Sequence, residues 1–218
     1  MKELHEWFQH PLGQAVIEEI QKQWESFEFS TSLNYGLSLQ IGTSIPILPL
    51  KNLSVLTMNF LPGTEVIASM EELPFDCGSF STVFLPFTLE YSGNISALLD
   101  EVNRILTPDG VVCIVGINPF SLWGMARIFH TKSTLPFRTN RYSSLRVYAL
   151  LASRQFTTHN IKSFFYRPPC LSLTPLKKIR FLEPVGQMFW PYPGGLYFFL
   201  AQKVTPQFLP TEPLWQVE

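Results

Sequence analysis

The chain has 218 residues, 46% of them apolar and 15% charged, with a net charge of −1; against a usual charged share of ~25% this is the balance of a globular α/β domain with a sizeable core, not of a disordered or highly charged chain. Three widely separated cysteines, Cys77, Cys113 and Cys170, form no CxxC pair, which argues against a disulfide framework or a zinc site and for reduced thiols. The first residues, Met1-Lys2-Glu3-Leu4-His5-Glu6, lack the apolar core of a signal peptide. The longest apolar runs, Val111 to Val115 and Leu196 to Ala201, fall far short of the ~20 residues that cross a bilayer. A soluble, cytoplasmic protein is expected.

In chain order, Gly13 to Phe27 carries Val16, Ile17, Ile20 and Trp24 on one helical face and Glu18, Glu19, Gln21 and Lys22 opposite, which predicts an amphipathic lead-in helix within residues 1–30. Leu37 to Gly42 alternates and ends in glycine, a first strand; Leu53 to Met58 and Val66 to Ala68 read as the second and third. Thr82 to Leu85 and Val111 to Ile117 are nearly all apolar, as central parallel strands covered on both faces are. Between them, Asn94 is a good N-cap for a helix whose buried stripe is Leu98, Leu99, Val102, Ile105 and Leu106, stopped by Pro108-Asp109-Gly110. Ser121 to His130 reads as a short helix, and Ser143 to Arg154 as a longer one with Leu145, Tyr148, Leu151 and Ala152 as its apolar residues. His159 to Tyr166 and Leu196 to Lys203 close the sheet on either side of a proline-rich segment, and the tail after residue 204 is expected to be extended.

The run Leu73-Pro74-Phe75, the strand Thr82 to Leu85, Pro86, Leu89-Glu90-Tyr91-Ser92, the Ile95 to Leu106 helix, Thr107-Pro108-Asp109-Gly110 and the strand Val111 to Ile117 resemble the second half of a class I S-adenosylmethionine (SAM) dependent methyltransferase. The likeness is greatest to the type 11 branch and, within it, to small uncharacterised methyltransferase-domain proteins of proteobacteria. It implies a Rossmann-like α/β fold, a seven-stranded, mostly parallel sheet whose antiparallel last strand inserts between the fifth and sixth. It also implies a single methyltransferase-like domain over residues 1–218, with a substrate cap over 118–158.

The resemblance implies SAM as cofactor, and assigns it residues by position. Gln40-Ile41-Gly42-Thr43-Ser44 stands where the family has its glycine loop, so Gln40 and Gly42 are cofactor candidates, although a single glycine remains of the usual three. Asn59 replaces the acid that accepts the ribose hydroxyls; a neutral acceptor is weaker than a carboxylate, by an amount that could cost about tenfold in affinity. Ser69 and Met70 stand at the adenine position, and Leu85 and Pro86 line the methionine side. SAM is therefore expected to bind weakly, or binding is lost. No catalytic residue stands out, since positioning alone supplies much of methyl transfer to a reactive nucleophile. Glu90 reads either as a general base or, more in keeping with such loops, as a polar residue closing the turn after the fourth strand. Asn118 borders the substrate mouth, with Arg127, Arg141 and Tyr142 as further substrate candidates in the cap. Trp123, Phe129, Tyr142, Trp190 and Tyr192 could wall an apolar pocket or be plain core. The histidines, His5, His10, His130 and His159, show no metal-ligand spacing.

Charge is divided along the chain. Up to Gly110 there are fourteen acids against Lys2, Lys22, Lys51 and Arg104, whereas Val111 to Leu182 holds eleven Lys and Arg and no acid. Either the halves neutralise each other, or Arg127, Lys132, Arg138 and Arg141 favour an anionic ligand at the substrate mouth. The leading expectation is a SAM-dependent methyltransferase acting on a small molecule, with a degraded cofactor motif. The alternative is a catalytically inactive methyltransferase-like binding or regulatory protein, and a third reading is a membrane-surface or nucleic-acid binding role for the basic half.

Overall fold

The computed structural model describes residues 2–26, 35–41, 54–60, 69–121, 123–124, 142–166 and 194–204. Helices α1 (Lys2–Gln9) and α2 (Pro11–Glu25) precede strand β1 (Tyr35–Ile41). Then follow β2 (Ser54–Phe60), β3 (Phe80–Pro86), helix α3 (Ile95–Ile105) and β4 (Leu106–Ile117). Helix α4 (Ser144–Ala152), β5 (Phe156–Phe164) and β6 (Leu196–Lys203) complete the order.

The sheet runs β2-β1-β3-β4-β6-β5. Strands β2, β1, β3 and β4 pair in parallel, and β6 lies antiparallel between β4 and β5. This is the expected topology, including the inserted antiparallel last strand. Six strands are seen among the described residues; the expected third strand, Val66 to Ala68, lies outside them, as does most of the expected Ser121 to His130 helix, of which Trp123 and Gly124 are helical. Cys77 and Cys113 are free thiols.

Alternation along the central strands divides the core into two layers. Val111, Cys113, Val115 and Ile117 of β4, with Phe198 and Leu200 of β6, face α2 through Leu12, Val16, Ile20 and Trp24. Val112 and Ile114, with Tyr197, Phe199 and Ala201, face Leu98, Leu99, Val102 and Ile105 of α3 and Val147 and Leu151 of α4.

The structure corrects several boundaries. The lead-in segment is two helices, not one. Pro11 opens α2, where its missing N–H costs nothing, and a side chain at Gly13 would run into the Trp7 carbonyl and the Phe8 backbone, so glycine lets the two helices meet closely. Strand β4 begins at Leu106, which pairs with Phe80 before a register shift; the Pro108-Asp109-Gly110 turn is present as a bulged excursion, with Asp109 in the left-handed region at φ 59°. Strand β5 starts at Phe156, three residues before its expected His159, with an irregularity between Thr158 and Asn160. On α4 the buried residues are Val147 and Leu151, whereas Leu145 and Tyr148 are 79% and 47% exposed, so the helix is rotated from the expected face.

Candidate functional site

The chain leaves β1 to form β2 and then returns to the other side of β1 as β3, so the sheet reverses direction of growth between β1 and β3. In open α/β sheets a ligand crevice forms outside the carboxyl ends of the strands at such a reversal. The residues found there include several of those expected. Gln40 is buried near the end of β1, where its Nε2 donates to Ser38 Oγ at 3.1 Å. It is the cross-strand partner of Asn59 on β2, so two amide-bearing residues stand side by side at adjacent strand ends. Leu85 and Pro86, both buried, end β3.

Beyond Pro86 the chain turns across the carboxyl ends of the strands and is fastened on both sides. Phe87 takes a left-handed conformation, φ 55°. That is costly for a bulky residue, and its N–H is held by the Val115 carbonyl at 2.8 Å. Pairing between β1 and β3 stops at Ser38 and Phe84, and the next free carbonyl, Leu39, is met by the Thr88 hydroxyl at 2.6 Å. On the other side β3 has ended, and the Ile117 N–H of β4 is received by Glu90 Oε1 at 2.7 Å. A hydroxyl and a carboxyl thus continue the sheet where backbone runs out.

Glu90 is 3% exposed, and burial pushes its carboxyl up to about 7, against the lowering effect of the backbone N–H groups of Ile117 and Glu90 itself. Next to Ile117, Gly116 leaves the space in which the Tyr197 ring lies; a Cβ there would overlap the phenol oxygen and ring carbons. Tyr197 is 0% exposed, and burial, then the Glu90 and Tyr142 charges, push its hydroxyl well above the usual range.

The remaining candidates are placed as follows. Ser69 is exposed in a turn, its Oγ accepting from Glu71 N at 3.1 Å, while half-buried Met70 packs against both core layers. Asn118 is buried at the end of β4, its Oδ1 accepting from Phe120 N at 3.1 Å and its N–H donating to the Gly195 carbonyl at 3.0 Å. Tyr142 is part of the core, with the Arg146 guanidinium 5.1 Å from its ring centre. Gly42, Arg127, Arg141, Lys132, Arg138 and the side chain of Asn59 lie outside the described residues. Thr88, Gly116 and Tyr197 are not among the expected site residues. A glycine inside the apolar run of β4 was a signal of close approach; nothing in the sequence marked Thr88.

The sheet order, its inserted antiparallel strand and the reversal between β1 and β3 define the class I SAM-dependent methyltransferase fold. Residues 52–114, less than a third of the chain, match a methyltransferase domain. The chain is similar to a SAM-dependent methyltransferase from Thermotoga maritima, with a TM-score of 0.57, 13% identity and coverage of 93% of this chain and 95% of that one. A SAM-dependent methyltransferase from Archaeoglobus fulgidus gives a TM-score of 0.52 and 12% identity, covering 87% and 94%. In sequence the chain is 28% identical over 105 residues to the Escherichia coli (strain K12) protein YafS, a match spanning 48% of this chain and 44% of that protein, less than half its length. Among the described residues no helix is long and apolar enough to cross a membrane.

Proposed function

We propose that the protein transfers a methyl group from SAM to a small molecule, in a site lying over the carboxyl ends of β1, β2, β3 and β4. The observation that supports the reading is the register of Gln40 with Asn59 at adjacent strand ends, beside the sheet reversal. In this reading Gly42 and Gln40 approach the cofactor backbone-first, Asn59 accepts from the ribose hydroxyls, Met70 and Ser69 flank the adenine, and Leu85 and Pro86 line the methionine side. The donor set fits the group with a neutral amide in place of a carboxylate, and Met70, half-buried between the core layers, has the thioether surface to pack on an aromatic base. SAM supplies an electrophilic methyl group; the chain's part is to hold the acceptor in line with it. Residues 118–158 cap the substrate, and the bases of that segment favour an acceptor carrying a carboxylate or phosphate.

Calorimetric titration with SAM and S-adenosylhomocysteine tests the cofactor site. Wild type is expected to bind in the high micromolar range or more weakly, and Asn59→Asp about tenfold more tightly, as a charge-assisted bond replaces a neutral one. The second reading, a catalytically inactive binding or regulatory protein, is favoured by the single glycine after β1 and the missing ribose acid. No heat at millimolar ligand in either protein would establish it over the first.

A further inference from the structure

Glu90 and Tyr197 come together from different parts of the chain at the end of β4. Glu90 Oε1 accepts from the Ile117 N–H at 2.7 Å. The Tyr197 ring lies against Gly116, the residue before Ile117, in space that only a missing Cβ leaves open. The Tyr197 hydroxyl is wholly buried and has no hydrogen-bond partner among the described residues, a condition that native structures seldom tolerate without a ligand, water or functional reason. Tyr142, ahead of α4, is the third titratable group facing this point among the described residues. Strand β4 adjoins β3, whose end carries Leu85 and Pro86, so a group held here would sit beside the methionine side of a cofactor bound in the proposed site.

We propose that Glu90 and Tyr197 are the proton-accepting and orienting pair for the group that is methylated, and that this group is therefore an N–H or O–H nucleophile, an amine or a phenol-like hydroxyl. The inference rests on the methyltransferase reading above. Tyr197 hydrogen-bonds the nucleophile and aims its lone pair. That lone pair forms the new bond to the methyl carbon while the sulfur–methyl bond breaks, its electron pair going to sulfur. The proton shed by the nucleophile goes to the Glu90 carboxylate and from there to water. A carboxyl near neutrality suits the task, because it is ionised often enough to accept and basic enough to hold the proton. A thiolate or carbon nucleophile would have no need of it.

The test uses the full chain as wild type, Glu90→Gln and Tyr197→Phe, both near-isosteric. S-adenosylhomocysteine affinity is measured by calorimetry. Transfer of labelled methyl from SAM is followed against pH on a matched primary amine, phenol and thiol. The Glu90 carboxyl carbon is titrated by NMR in the free protein. The expected result is affinity for S-adenosylhomocysteine unchanged within about twofold in the variants, with transfer to the amine or phenol rising in wild type through a group near pH 7. Glu90→Gln should lose that rise and about 10²–10⁴-fold in kcat, Tyr197→Phe should mainly raise KM, and the carboxyl midpoint should lie near 7. An unchanged pH rise in Glu90→Gln overturns the proposal, as do transfer to the thiol alone or to none of the panel, and a midpoint in the ordinary carboxylate range. Failure of wild type to bind S-adenosylhomocysteine would instead remove the methyltransferase reading itself, and this role with it.

Discussion

At Glu90 a side chain takes the place of a strand. Strand β3 has turned away at Phe87, and the Ile117 N–H would be left buried without a partner if the carboxyl did not reach it at 2.7 Å. The cost is a desolvated acid, whose ionisation is displaced from 4.5 to about 7. The consequence for stability has a definite sign. Because the folded state holds the proton more tightly than the unfolded state, this contribution is full below pH 4.5, is lost as pH rises toward about 7, and is flat above. Over that window wild type should lose about 3 kcal/mol relative to Glu90→Gln, in which no charge is ever buried. Denaturant unfolding of both proteins at intervals from pH 4.5 to 8 measures the difference, and parallel stability curves would show that Glu90 does not titrate there. Glu90 was legible in the sequence as a residue closing a turn; that it closes it onto Ile117, 27 positions away, was not.

Helix α3 shows how far local sequence reaches at the level of an element. Its start follows from Asn94, whose Oδ1 accepts from Ser96 N at 3.1 Å and Ala97 N at 3.3 Å, and its buried face follows from a 3.6-residue period. Its other fastenings come from a distance. Lys203 Nζ of β6 donates to the carbonyls of Asn103 at 2.6 Å and Leu106 at 3.1 Å, a cation at the negative end of the helix. Arg154, after α4, bonds Asp100 at 2.7 Å, the Ser96 carbonyl at 3.0 Å and the Leu150 carbonyl at 3.0 Å. The two kinds of contact separate by mutation. Asn94→Ala should cost about 1 kcal/mol. Arg154→Ala should cost more than its coupling to Asp100, since Arg154 is 11% exposed and leaves two carbonyls behind, while Asp100 at 63% is largely solvated; a double-mutant cycle should give a coupling of only about 0.5–1 kcal/mol. A coupling as large as the whole effect would mean that the ion pair, not the carbonyl contacts, is what Arg154 contributes. Helix α4 marks the limit of periodicity. Leu145 and Tyr148 fitted an apolar stripe as well as Val147 did, and which of them turned inward depended on the surface that α3 and the sheet presented.

Across the whole molecule, α1 and α2 cover one face of the sheet and reach the segments that follow β3 and β4. Trp7 meets Trp123 edge-on with ring centres 6.2 Å apart, and Phe8 lies 5.9 Å from the strained Phe87. Trp7→Ala should therefore cost about 3–5 kcal/mol, as burial of a large aromatic does, measurable as a lowered denaturation midpoint; a loss under 1 kcal/mol would show that α1 is not part of the cooperative core. The charge division along the chain is partly internal, since Arg154 of the acid-free half pairs with Asp100 of the acidic half.

Local sequence carried the apolar central strands, the cap of α3, the Pro-Asp-Gly turn and the family resemblance. All of these are written in neighbouring residues, through the periods of helix and strand and the conformational limits of Asn, Pro and Gly. The tertiary structure alone decided that Thr88 meets Leu39, that Glu90 meets Ile117 and that Tyr197 fills the space over Gly116. Those partners are 27 to 81 positions apart, and they are selected by strand order, register and the place where a ladder ends, which no local pattern contains. A polar side chain at the edge of a sheet gains its chemistry from whichever backbone group the fold leaves unpaired beside it.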